Sequence, residues 1–149
     1  MTPSDRPARM REKVIVRVVA KALIPFILLF ALYVQLHGDY GPGGGFQAGV
    51  IFAAGLILYG LVFGLRVLVR VAPMNVIEVL MATGVMIYGG VGVASIFLGG
   101  NFLDYNALDS QHPEHGQHLG IFLVEAGVGI TVTATLLAIF YAVAGRRKR

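Results

Sequence analysis

The stretch "LHGDYGPGGGFQAG", residues 36–49, separates two long apolar runs, and its reading decides the fold. Pro42 fixes its own φ, and Gly43, Gly44 and Gly45 permit backbone angles closed to other residues. A chain that leaves one apolar run here can turn sharply and enter the next. The flanking runs are each long enough to cross a hydrocarbon core of about 30 Å, which takes about 20 apolar residues of helix. The stretch therefore reads as the tight outer turn of a membrane hairpin.

Composition agrees. The 149 residues are 56% hydrophobic and 13% charged, with mean hydropathy +0.75, against about 25% charged in soluble domains. Four spans are expected, at 14–36, 46–69, 74–98 and 118–144. Backbone groups in hydrocarbon must pair internally, and the alternation of a β-barrel is absent, so the fold class is all-α, an integral membrane four-helix protein. Residues 1–13 form a basic segment, 14–144 the membrane domain and 145–149 a basic tail. The basic start followed by an apolar run is similar to a secretory signal, but small residues of a cleavage site are missing before "QLHGDY". It reads as a retained signal anchor.

All 12 Lys and Arg fall on one side of this four-span arrangement: Arg6, Arg9, Arg11, Lys13, Arg17, Lys21, Arg66, Arg70, Arg146, Arg147, Lys148 and Arg149. Asp39, Asp104, Asp109, Glu114 and all four histidines fall on the other. The positive-inside rule then places both termini in the cytoplasm. The net charge of +4 is a topology signal, and nucleic-acid binding explains it poorly. With no cysteine, the chain has neither disulfides nor a thiolate metal site.

Glycines recur inside the spans at Gly45 and Gly49, Gly60 and Gly64, Gly84, Gly89 to Gly92, Gly120, Gly127 and Gly129. Small residues four apart let membrane helices approach closely, within this chain or against other subunits.

Two carboxylates, Glu78 and Glu125, lie within spans, where acids are costly and mark functional candidates. Counting rise per residue inward from the two faces leaves them about 14 Å apart along the membrane normal, too far to share an ion. Glu78 can instead pair with Lys21, whose carbonyl is relieved of one hydrogen bond by Pro25, or reach the interface. Thr131, Thr133 and Thr135 follow Glu125, but threonine hydroxyls in helices commonly bond back to their own backbone. Glu125, Glu78 and Lys21 are the ion-path candidates. His112, His115 and His118 are read as a solvated loop leading into the fourth span, because Pro113 and Gly116 interrupt a regular helix face; no metal site is expected there. "GPGGGF" lacks the Gly-Lys-Ser/Thr ending of a phosphate loop. No nucleophile–base pair, dinucleotide fingerprint or other cofactor motif is present.

"HGDYGPGGGFQAGVIFAAGLIL" resembles the signature of the B subunit of Mrp-type (Mnh) multisubunit cation/proton antiporters, in which a His-Gly pair precedes Pro-Gly-Gly-Gly-Phe-Gln. Here those residues are His37, Gly38, Pro42, Gly43, Gly44, Gly45, Phe46 and Gln47. "HLGIFLVEAGVGITVTATLLAIFY" is similar to the family's last helix, with Glu125 where many members have aspartate. The first twelve residues and the His112 to His118 segment are variable territory. The resemblance implies a non-enzymatic accessory subunit, in the plasma membrane, of a complex exchanging Na+ for H+. Its implied partners include large subunits like the antiporter-like subunits of respiratory complex I. This subunit would serve assembly and support or line the cation path. Hydrogenase-type redox complexes contain related modules, which makes a redox-driven pump the alternative. Because exposed helix-start amides favour anions, the glycine turn is expected to dock another subunit, with ion contact through its carbonyls secondary. Phe46 would serve as an interfacial anchor and Gln47 would hold a loop or partner backbone.

Overall fold

A computed structural model of the chain describes residues 14–38 and 41–146. The basic segment 1–13, Asp39 and Tyr40 of the turn, and 147–149 lie outside the described residues. The described chain is helical: α1 (Val14–His37), α2 (Gly45–Phe63), α3 (Leu65–Val71), α4 (Met74–Phe97) and α5 (Pro113–Arg146), with a short 3-10 helix at Tyr105–Leu108. Four of these, all but α3, are long and apolar enough to cross a membrane.

Two boundaries differ from the sequence reading. The second span does not run to Val69. Gly64 adopts φ 104°, a left-handed angle that breaks the helix and starts the short α3. The last span begins at Pro113, five residues earlier than expected, because proline suits the first helical position, where no N–H is needed.

Cross-helix contacts give the direction of each helix. Arg17, near the start of α1, lies over the Phe63 ring at the end of α2, 5.8 Å from its centroid. Tyr141, near the end of α5, donates to the carbonyl of Ala72 between α3 and α4 at 2.8 Å. Both described termini thus share one end with Arg66 and Arg70, the basic end. The α1–α2 and α4–α5 turns form the other.

The helices stand in the order α1–α2–α5–α4, and α1 shares no substantial interface with α4. Packing differs between the two ends. Near the basic end, side chains fill the interfaces: Leu68, Ile77, Ala134 and Leu137 form one buried cluster, and Ala20, Ile24 and Val62 another. Toward the turns, glycines replace side chains. Gly49 lies against Gly129 and Val132 between α2 and α5, Gly84 against Gly127 and Thr131 between α4 and α5, and the Phe102 ring covers Gly92. Backbones can meet this closely only where a Cβ is missing, which is how membrane helices gain dispersion contact without a hydrophobic drive. The outward faces stay apolar: Phe26, Phe30, Met86 and Phe97 are all exposed, as a surface facing lipid or other subunits requires.

Candidate functional site: a carboxylate under the glycine turn

The α1–α2 turn folds onto α5 at Glu125. Three of its glycines, Gly38, Gly44 and Gly45, face that residue, while Gly41 faces His37 and Gly43 faces Val34. A methyl group added at Gly44 would meet Glu125 Oε1 at 2.8 Å. One added at Gly38 would overlap Oε2, lie 2.9 Å from Oε1 and lie 2.8 Å from the Cα of Gly44. At Gly45 it would run into the backbone carbonyl of Glu125, with the Glu125 Cα at 2.9 Å. The turn can therefore close on the carboxylate only because these three positions carry no side chain. Gly44 also needs its glycine for the backbone, since its φ is 136°.

The electrostatics of this contact follow from where the turn ends. Gly44 is the N-cap of α2, with its carbonyl accepting the first-turn bond from the N–H of Ala48 at 3.0 Å. No side chain caps α2. The amino end of a helix carries about half a positive charge. Glu125 brings its carboxyl group to this end from a neighbouring helix, and the start of a helix suits such a group. The preference of this helix start for an anion is answered within the chain.

Tyr105 of the 3-10 helix approaches from the α4–α5 side, its ring lying on Gly120 of α5. Burial pushes its phenol above the ordinary value, with smaller contributions from Tyr88 and Glu125. Tyr105 was not apparent in the sequence, where it stands in an irregular loop. Gln35 was missed too, because one polar residue near the end of an apolar run reads as the interface. Its amide fills the space over Gly129, with Oε1 2.6 Å from the position a Cβ would take there.

The other candidates are dispersed. Lys21 and Glu78 are exposed and stand on α1 and α4, which share no substantial interface; of the two alternatives for Glu78, this helix order favours the reach toward the interface over pairing with Lys21. Glu78 sits in the second turn of α4 at the basic end, far along the fold from Glu125. Pro42, Phe46 and Gln47 are exposed on the outer side of the turn, so it has a glycine face turned inward and a side-chain face turned out. His37 stacks on Tyr33 with ring centroids 5.2 Å apart, its Nε2 beside Gly41.

Instead of the expected solvated loop, the histidine segment forms the first turns of α5. Asp109 accepts the N–H groups of Gln111 at 3.1 Å and His112 at 3.0 Å, fixing the entry, and these two bonds, that from His112 foremost, hold its carboxyl below the ordinary carboxylate value. The rings of His112 and His115 lie 5.3 Å apart. Thr131 bonds back to the carbonyl of Gly127 at 2.9 Å, as expected of helix threonines. Thr133 reaches two carbonyls, Gly129 at 2.8 Å in its own helix and Gly49 of α2 at 3.1 Å.

Comparison with known proteins follows the same lines. Residues 15–138 match the family model described as a domain related to the MnhB subunit of the Na+/H+ antiporter. A relative in Staphylococcus haemolyticus, named as antiporter subunit mnhB2, is 32% identical over 91% of this chain and 98% of its own length. Its counterpart in Staphylococcus aureus strain Newman is 30% identical over 93% of this chain and 99% of its own. With a family model matched over residues 15–138 and relatives at 30% identity or more covered almost end to end, the chain belongs to the MnhB family of Na+/H+ antiporter subunits.

Proposed function

We infer that this chain is a non-enzymatic membrane subunit of a multisubunit Na+/H+ antiporter, and that Glu125 is its ion-path carboxylate. The observation that carries the second part is the closure of Gly38, Gly44 and Gly45 on Glu125. An intramembrane acid held against a helix amino terminus, beneath a turn built of flexible residues, can exchange a proton or cation when that turn shifts. The relatives' names support antiport and give no support to the redox-driven alternative.

The basic residues at one end of the bundle favour both termini in the cytoplasm, with the turn over Glu125 on the outer side of the plasma membrane. Pro42, Phe46 and Gln47 are the docking face of the turn, and the family resemblance supports complex I-like large subunits among the partners. Lys21 and Glu78 join an ion path only where another subunit covers them.

The experiment is Glu125→Gln in the assembled complex, read as Na+-driven proton movement in everted membrane vesicles. Antiport should fall by about tenfold or more, a barrier change of about 1.4 kcal/mol, while native gels show the complex intact. Full antiport in an intact complex would remove Glu125 from the path.

A further inference from the structure

Four cations at the basic end of the bundle, Arg17 and Lys21 on α1 and Arg66 and Arg70 on α3, are exposed. Glu78 is the one described carboxylate at that end, and it stands on α4, across the row of helices from α1. Among the described residues, no ion pair joins it to any of the four. So many like charges on membrane helices call for an anion from outside the described chain.

Their depth shows which anion. α2 has 19 residues, about 28 Å at 1.5 Å rise per residue, so Gly45 and Phe63 mark the two faces of a hydrocarbon core of about 30 Å. The Arg17 guanidinium lies over the Phe63 ring, 5.8 Å from its centroid, which holds this charge at the boundary on the basic side. Lys21 stands one turn deeper, by about 6 Å. Helical side chains lean toward the amino end, so its long stem can carry the ammonium back to the boundary.

α3 stays at the same level. After the break at Gly64 it folds back onto the bundle, with Leu68 fully buried and its Cδ2 2.6 Å from the position a Cβ would take at Gly60 of α2. At about 100° per residue, Arg66 and Arg70 each point about 160° away from Leu68 and so turn outward together. Arg66 follows closely on Phe63 in the chain, which brings the α3 pair to the end of α2 where Arg17 lies.

We propose that these cations form a binding site for the headgroup phosphate of an anionic phospholipid in the leaflet at the basic end. Lipid phosphates lie just outside the hydrocarbon core, the level at which Phe63 and the Gly64 break hold the charges. Guanidinium forks match phosphate oxygens two at a time, and Arg17, Arg66 and Arg70 are all arginines. A zwitterionic headgroup brings its own ammonium and leaves the site uncompensated, so a headgroup of net negative charge is selected. Val18 on α1 and Val69 and Val71 on α3 are exposed apolar contacts for its acyl chains. The site depends neither on Glu125 nor on which side of the membrane the basic end faces.

The test uses the whole complex in vesicles of phosphatidylcholine. A fluorescent amino acid in place of Val69, 40% exposed on the same short helix as Arg66 and Arg70, reports the lipids beside the site. The vesicles carry either brominated phosphatidylglycerol or brominated phosphatidylcholine at equal mole fraction. The anionic lipid should quench about fivefold more effectively. Equal quenching overturns the proposal, and that comparison needs no arginine variant to assemble. Arg66→Gln with Arg70→Gln should abolish the preference, and Arg66→Lys with Arg70→Lys should keep most of it. A preference untouched by the glutamine pair places the lipid elsewhere and also overturns the site. Inorganic phosphate at matched ionic strength should leave the preference in place. Its loss there would make a free anion the ligand and overturn the lipid. Equal quenching together with loss of another subunit from the glutamine pair on native gels would give the site to a partner's acidic segment instead.

Discussion

Gly45→Ala tests the contact on which the site depends. The added methyl carbon would lie 2.9 Å from the Cα and 2.7 Å from the carbonyl carbon of Glu125. Carbon atoms in contact prefer about 3.5–4.0 Å, so α2 and α5 must separate locally by nearly 1 Å. The obstacle is backbone on both sides and cannot rotate away. Overpacking of this kind costs about 1–3 kcal/mol. Separation also loosens the neighbouring Gly49–Gly129 approach, where an added methyl would have only 2.7 Å to the Gly129 carbonyl. The assay is the amount of intact complex on native gels, at matched amounts of the chain in the membrane. Gly45→Ala should reduce it about five- to a hundredfold, the range that 1–3 kcal/mol gives when 1.4 kcal/mol is a factor of ten. Gly90→Ala is the control within the chain, since a methyl there meets nothing within 4 Å. Normal assembly of Gly45→Ala would refute the placement of the turn on α5.

Two further outcomes follow from the titrating groups outside the spans. Glu125→Gln should move the Tyr105 phenol partway back toward its ordinary value, burial retaining the rest, as read by NMR of labelled tyrosine; an unmoved phenol would place Tyr105 away from the carboxylate. The depressed Asp109 carboxyl implies that its support for the start of α5 is present above the unfolded value of about 3.9 and fades as pH falls through its lower folded value. Carboxyl NMR of Asp109 in the complex should show that lowered midpoint, and an ordinary one would mean that the N–H groups of Gln111 and His112 do not hold it.

The four spans were legible because hydrocarbon imposes a length and a polarity on any helix within it, and the basic residues all gathered on one side of the arrangement. Local chemistry that competes with hydropathy was harder to read. Gly64 stands in an apolar run yet breaks the helix through its backbone angle, and Pro113 starts a helix where proline and glycine together suggested a loop. The site was half legible. Glu125 and the glycine turn each stood out, one as a misplaced charge and the other as a motif. Their meeting did not, because nothing local to either records a contact between the first loop and the last helix. Gln35 carried no signal at all. Its importance comes from the space that Gly129 leaves on another helix.

The Gly38–Gly45 turn also sets a timetable for biogenesis. It emerges from the ribosome long before the helix it closes on. At about 5–20 residues per second, the stretch between Gly45 and Glu125 takes roughly 4–16 s to synthesise. Until then the turn has no partner, the start of α2 has no anion facing it, and the first hairpin waits in the membrane half-finished. A nascent chain stopped before its fourth crossing would carry the family's most recognisable motif in an unlatched state, open to proteolysis, and only the arrival of the last helix would end that exposure.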